Sequence, residues 1–242
     1  MDLKIQNVSL SIKGKLIVND ISITVNQGEI VGLMGPNGAG KTTTFNLAVG
    51  NIKPDKGKVL MNGRDITSLP LQNRSRLGLG YLTQEASIFR DLTVKDNIDL
   101  ALQNSYYSPS VIRNKREQLI NEFSLNKFVD NYGYQLSGGE RRRCEIARAL
   151  SVGRKGPKYL LLDEPFAGID PLAVNDLKKL ILKLCSSGVG ILITDHNVRE
   201  TLLITNKSYV ISEGKILAYG SSLELANNPI VKKYYLGDDF RL

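Results

Sequence analysis

Short runs in which apolar and polar residues alternate open the chain. "LKIQNVSLSI", "ISITV" and "EIVGLM", all within residues 3–34 and rich in Ile and Val, read as strands, and Lys13-Gly14-Lys15 and Gln27-Gly28 break them. Glycine-rich "GPNGAGK" follows, and a helical pattern runs from about Thr42 to Val49. "GKVLMNG" reads as a strand ending in an Asn-Gly turn, and "LGLGYLTQ" as another short strand. From Thr93 to about Asn131 the period becomes helical, with capping signals at Thr93 and Ser108-Pro109. Ser137-Gly138-Gly139 opens a further helix to about Leu150. "KYLLLDE", "GVGILIT" and "KSYVIS" are continuous apolar runs, separated by helical patterns at Asp176–Cys185 and Val198–Ile204. Such strands, alternating with helices, predict a parallel sheet covered on both faces. The strandless stretch from Thr93 to Leu150 predicts a helical subdomain inserted into it. There is no long-period repeat and no low-complexity linker.

Composition changes this picture little. The 242 residues fit one large domain, and 42% apolar with 23% charged residues is ordinary for a chain that buries a core. The formal charge of +8 suits contact with nucleic acid, a polyphosphate or an anionic membrane face. Apart from Arg141-Arg142-Arg143 the basic residues are scattered, which reads as a solvated basic surface rather than a nucleic-acid footprint. Cys144 and Cys185 form no CxxC pair, and with a single histidine there is no metal cluster, so free thiols in a reducing compartment are expected. The start "MDLKIQNVSL" lacks an apolar signal region, and no apolar stretch approaches the roughly 20 residues of a spanning helix. A cytoplasmic protein is expected; if it works at a membrane, something else must cross it.

The chemistry begins at Gly35-Pro36-Asn37-Gly38-Ala39-Gly40-Lys41-Thr42, which fits G-x-x-x-x-G-K-[ST] between a predicted strand and a predicted helix. Glycines let successive backbone N–H groups turn inward around phosphate oxygens, and the helix N-terminus adds unpaired donors. Lys41 would bring a point charge to the β- and γ-phosphates, and the Thr42 hydroxyl can ligate Mg²⁺. Asp163, at the end of the buried run "YLLLD", can complete the Mg²⁺ shell; Glu164 can orient or deprotonate a water. The only histidine, His196, follows "GILITD", and Gln84 closes "GLGYLTQ". Both would reach the carboxyl-end crevice where doubly wound sheets bind ligands. His196 could contact the γ-phosphate or the attacking water, and Gln84 could sense metal and water. Guanine recognition is disfavoured: Asn206-Lys207 has Tyr209 where an N-K-x-D pattern needs Asp.

Leu136-Ser137-Gly138-Gly139-Glu140 is a second helix start built for an anion, with Ser137 as cap and Gly138-Gly139 allowing close backbone approach. Since the first loop already holds the phosphates, this nest suggests service to the nucleotide of another copy, in a head-to-tail homodimer.

"GPNGAGKTT", Gln84, "LSGGE", "LLLDEP", Asp170 and His196 stand in the order and spacing of the ABC-type ATPase subunits, and the resemblance covers essentially the whole chain. It implies a single α/β ATPase domain over 1–242: a P-loop NTPase core with helices on both faces of a parallel sheet, an N-terminal antiparallel β subdomain, and an inserted helical subdomain at about 85–150. It implies ATP and Mg²⁺ as cofactors. Nucleotide contacts would come from Gly35 through Thr43 and, across the dimer, from Ser137, Gly138 and Gly139. Thr42, Gln84 and Asp163 would stand on the metal side. Glu164 would be the general base, His196 the switch histidine, and Asp170 part of the loop crossing the dimer interface. Where the family usually places an aromatic residue against adenine, this chain has Ile12. Within the family, "QEASIFRDLTVKDNI", "LSGGERRRCEIARAL", "DEPFAGIDP", "ITDHNVRETL" and "YYLGDDFRL" resemble the subunits that power lipopolysaccharide export. That closer likeness implies a peripheral protein on the cytoplasmic face of the inner membrane. Its membrane subunits would dock near Gln84–Asn97, where Ile88, Phe89 and Arg90 offer contacts unless Ile88 and Phe89 serve the subdomain core. The ATPases of branched-chain amino-acid importers and the soluble ABC ATPases of iron–sulfur cluster assembly remain alternatives. No nucleic-acid partner is expected, because the chain has neither a long coiled coil nor a second ATPase domain.

Overall fold

The computed structural model describes residues 1–105, 108–237 and 239–242. Tyr106 and Tyr107 of the expected inserted subdomain, and Asp238 of "YYLGDDFRL", lie outside the described residues. Strands β1 (Asp2–Ile12) and β2 (Lys15–Asn26) form a hairpin around the Lys13-Gly14 turn, and β3 (Ile30–Met34) leads into α1 (Lys41–Val49). β4 (Lys56–Met61), β5 (Arg64–Asp65), α2 (Leu71–Arg76) and β6 (Leu79–Leu82) follow. Next come α3 (Val94–Gln103), α4 (Pro109–Glu122), two single 3-10 turns and α5 (Gly138–Ala149). The chain continues through β7 (Tyr159–Asp163), α6 (Pro171–Ser186), β8 (Gly190–Thr194), α7 (Val198–Leu202), β9 (Lys207–Ser212), β10 (Lys215–Gly220) and α8 (Ser222–Asn227). Short helical turns at Pro229–Val231 and Lys232–Leu236 end it.

Two sheets result. One is antiparallel, in the order β2-β1-β4-β5; the other has the order β10-β9-β3-β8-β7-β6 and is parallel from β9 to β6. Alternation explains the continuous apolar strands of the larger sheet. Leu160, Leu162, Ile191 and Ile193 point into a core shared with α3, α4, α5 and α6. Their neighbours Tyr159, Leu161 and Leu192 point the other way, into a core shared with α1 and the antiparallel sheet. A side chain on either face of these strands therefore meets protein, which favours branched apolar residues throughout.

Local signals set several boundaries. Thr93 accepts the Asp96 N–H at the start of α3, while Ser108 caps α4 by backbone conformation, with Pro109 in its first turn and no side-chain hydrogen bond to the helix. The helix read from Asp176 begins earlier, at Pro171, because the Asp170 carboxylate accepts the Ala173 N–H 3.0 Å away. β2 likewise starts at Lys15, well before "ISITV", because the hairpin pairs Ile12 with Lys15. The periodicity did not single out α2, β10 or α8. These short elements lie at the margins, where few core contacts impress a pattern on the sequence.

Candidate functional site

β3, β8, β7 and β6 are consecutive and parallel, so the loops after them leave one edge of the sheet. The first is the glycine loop. Gly35 has φ +148°, and a Cβ there would lie 2.1 Å from the Ile211 carbonyl oxygen of β9, so only glycine fits. Gly40 caps α1 in a left-handed conformation without a side-chain bond, and leaves the helix's first amides free for an anion. Asn37, Gly38 and Thr42 are exposed, Pro36 and Thr43 half-buried, and Ala39 and Gly40 buried beneath them. Lys41 is buried, and its ammonium donates to the carbonyls of Gly35 at 2.7 Å and Pro36 at 3.0 Å. Burial lowers its pKa, while Glu164 and Asp163 act in the opposite sense and favour its charge.

At the end of β7, Asp163 pairs in register with Thr194 of β8. Both carboxylate oxygens of Asp163, and the Thr194 hydroxyl, are buried without a hydrogen bond of good geometry, although the Tyr81 hydroxyl stands beside Asp163. Burial, and then the neighbouring Glu164 charge, push Asp163 up to about 6, against the pull of Lys41 and Arg142. Glu164 adopts φ +53°, a left-handed turn uncommon for a side chain of its size, and its N–H donates to the Thr194 carbonyl at 2.8 Å. The turn presents the carboxylate to two partners. His196 Nε2 lies 2.9 Å from Oε1, and Gln84 Nε2 donates to Oε2 at 3.0 Å. The three residues read as site candidates from three different strand ends thus meet at one carboxylate.

The oxygen donors present fit a hard divalent cation. Asp163 brings two unsatisfied oxygens, Thr42 a hydroxyl in the first turn of α1, and Gln84 a carboxamide oxygen not used toward Glu164. Mg²⁺ commonly takes one carboxylate together with waters and phosphates, so this small set is adequate.

Gly138 lines a cavity of about 200 Å³ together with Gln84, on the side of the site away from the glycine loop's own helix. Ser137 caps α5 in a capping box with Glu140: its N–H donates to Glu140 Oε2 at 2.8 Å, and its hydroxyl accepts the Glu140 N–H. Cβ atoms on Gly138 and Gly139 would lie 3.2 Å from the Gly168 carbonyl and 2.9 Å from Ala173 Cβ, so the nest packs on the loop that carries Asp170. Ser137 and Gly138 face solvent. Ile12, 43% exposed, ends β1 at the hairpin whose Ile17 carbonyl lies against Gly40.

The basic run of α5, which the sequence sets apart from the scattered basic residues, is only partly solvated. Arg142 is buried. It donates to the carbonyls of Asp163, Glu164, Pro165 and Thr83, and to Glu145 Oε2 at 3.0 Å. Glu145, also buried, accepts the N–H groups of Ser87 and Ile88. One ion pair therefore joins α5 to the Asp163–Pro165 turn and to the loop after β6. The signal was present: positions 142, 145, 146 and 149 share one helical face, and two of them are charged. Arg74 of α2 is a further buried cation. Asp195 was also missed. Burial raises its pKa, and it accepts the N–H groups of Phe166 and Asn197, which ties the loop after Glu164 to the turn that carries His196.

Of the candidate docking residues, Ile88 is buried in the core of the helical subdomain. Phe89 is 45% exposed, with the Arg148 guanidinium 4.5 Å from its ring centre. Beside it, a cavity of about 290 Å³ is lined by Ala86, Ile88, Arg90, Gly133, Tyr134 and Arg141. Among the described residues no helix is long and apolar enough to cross a membrane.

The chain is similar to known proteins in sequence and in fold. The ABC transporter family model matches residues 18–167. The lipopolysaccharide export system ATP-binding protein LptB of Haemophilus influenzae is 51% identical over 98% of both chains, and LptB of Escherichia coli K12 is 50% identical over 98% of both. The structure of an ATP-binding cassette of an ABC transporter in its ADP conformation superposes with a TM-score of 0.87, at 27% identity, covering 98% of this chain and all of that one. With that model spanning most of its length and relatives of this identity matched end to end, the chain belongs to the ABC transporter ATP-binding family.

Proposed function

We propose that this chain is the ATP-hydrolysing subunit that powers lipopolysaccharide extraction from the inner membrane for export, working at the cytoplasmic face as a head-to-tail homodimer. The observation that carries the catalytic part is the Glu164 carboxylate, held between Gln84 and His196 beside the unsatisfied Asp163 and the buried Lys41. The transported molecule is argued from the relatives of about 50% identity that carry that name.

Lys41 and the free backbone N–H groups of the glycine loop and the first turn of α1 bind the phosphates; Lys41 exchanges its two carbonyl partners for phosphate oxygens. Thr42, Asp163 and Gln84 would hold Mg²⁺, which would supply charge neutralisation at the phosphates. Each Glu164 oxygen holds one partner and keeps a further lone pair with which the carboxylate can accept a proton from water. His196, more than half exposed, is free to turn from Glu164 toward the γ-phosphate. The exposed Ser137–Gly139 nest then completes the partner's site, and Asp170 lies in the loop beside it. The groove beside Phe89 receives the membrane subunits.

Purification from detergent-solubilised membranes tests the transport reading: two integral membrane subunits of a lipopolysaccharide exporter are expected with the chain, and recovery with soluble scaffold proteins alone refutes it. Lys41→Ala is expected to weaken ATP binding more than tenfold by titration; unaltered affinity refutes the cradle.

A further inference from the structure

β7 and β8 part just beyond their last pair. Asp163 pairs with Thr194, and the Glu164 N–H donates once more to the Thr194 carbonyl at 2.8 Å. There Glu164 takes its left-handed turn and the backbone ladder ends. A side chain continues the connection. Asp195, the first residue after β8, is 3% exposed. Its Oδ2 accepts the Phe166 N–H and its Oδ1 the Asn197 N–H, each at 2.8 Å.

Those two amides belong to the two turns that carry Glu164 and His196. Phe166 lies inside the turn that Glu164 opens and the Ala167 N–H closes on the Glu164 carbonyl, and its ring is buried in the core beneath α5 and α6. Arg142 fastens the carbonyls of this turn to α5; Asp195 fastens its amide to the histidine turn. Asn197 follows His196 directly and caps α7, where the Thr201 hydroxyl donates to the Asn197 carbonyl at 3.0 Å. Between these anchored points His196 Nε2 meets Glu164 Oε1 at 2.9 Å. The imidazole is more than half exposed, so its reach toward Glu164 is set by the backbone on which it stands rather than by packing. Only a group with two acceptors satisfies both donors, because an amide in the same place would turn its NH₂ toward one of them.

We propose that Asp195 is a positioning residue for ATP hydrolysis: by holding the Phe166 and Asn197 amides on its two oxygens, it sets Glu164 and His196 at the separation that activation of water requires. The proposal rests on Glu164 being the general base. Both Asp195 oxygens are committed to backbone amides, so the effect runs through geometry and not through proton transfer by Asp195 itself.

Asp195→Asn keeps the size of the side chain and removes one acceptor. In the full chain, phosphate release at saturating ATP is expected to slow about ten- to hundredfold, as for a reacting group displaced by about an ångström, while ATP affinity by calorimetric titration stays within about twofold. Added to Glu164→Gln, the same change should slow turnover by no more than about a further twofold, because the carboxylate it positions is already gone. In the unmodified chain, where no variant has to fold, the Phe166 and Asn197 amides should exchange with deuterium about tenfold or more slower than in an open chain. Turnover equal to the parent's overturns the proposal. So does an ATP affinity that falls as far as turnover, which marks general loosening, a full additional loss on the Glu164→Gln background, or open-chain exchange at the two amides. Glu164→Gln alone separates the two readings: if it slows turnover and Asp195→Asn does not, the general base stands and the Asp195 assignment falls. If Glu164→Gln hydrolyses ATP normally, the general base itself falls.

Discussion

Glu164 and Asp163 are adjacent in sequence and opposite in circumstance. The left-handed turn at Glu164 sends its carboxylate to two polar partners, whereas Asp163 keeps the strand conformation and ends in a buried place with neither oxygen satisfied. For Glu164 the expected outcome of Glu164→Gln is a turnover slower by about 10²–10⁴, measured as phosphate release at saturating ATP, because the amide cannot accept the proton. Asp163 makes a prediction about stability. Its pKa is pushed up to about 6, above the ordinary value near 3.9, so between these two pH values the folded chain binds more protons than the unfolded one. Stability from this group is therefore fullest below about pH 4 and is lost as pH rises through about 6. Asp163→Asn cannot ionise, so the metal-free variant should be more stable than the parent above pH 6, by at most about 3 kcal/mol, and the gap should close toward pH 4. Urea melts at pH 4.5 and 8 check this. Equal gaps at both pH values would mean that the carboxylate's charge is not the source of the cost.

At the scale of elements, two buried arginines fasten helices to loops. Arg74 of α2 is fully buried, its charge favoured by Asp65, and its guanidinium donates to the carbonyls of Leu47, Ala48, Leu69 and Thr67. Two of these belong to the last turn of α1, whose carbonyls have no partner within the helix, so Arg74 finishes the helix that carries Lys41 and Thr42. Burial brings the guanidinium down to about 10, and it stays charged at any working pH. Arg74→Met should destabilise the protein by about 2–4 kcal/mol in urea melts, because it leaves two buried and two part-buried carbonyls without this donor. A cost below 0.5 kcal/mol, at the level of an exposed substitution, would mean that water replaces the guanidinium. Arg142 acts similarly for α5, but it is paired with Glu145, and its carbonyl partners include Glu164 itself. A displacement of the Ser87–Ile88 segment therefore reaches the carboxylate through two side chains.

For the whole molecule, the same segment leads outward. Phe89 stands on the surface above Arg148, beside a cavity between the loop after β6 and the helical subdomain, while Ile88 anchors the loop in the core. Phe89→Ala is thus expected to leave the isolated chain folded and its ATPase within about twofold, since an exposed position costs little. Co-purification with the membrane subunits should be lost. Full recovery of the complex would place the docking surface elsewhere.

That the glycine loop lies between strand and helix, and that the carboxylate pair, Gln84 and His196 end strands of one sheet, was legible from residue order alone, because these are local arrangements that depend on near neighbours. The continuous apolar strands were legible for a related reason: both faces of the larger sheet are covered, and burial leaves its mark at every position. What the order of residues could not carry was the identity of long-range partners. Arg74 looked like surface charge until folding surrounded it with carbonyls from distant segments, Arg142 proved to be buried against the Asp163–Pro165 turn, and Asp170 proved to cap a helix. Periodicity reports which face of an element is buried. Only tertiary packing decides which polar groups a buried charge will meet, because a hydrogen bond depends on separation in space and on direction, and neither is written in sequence spacing.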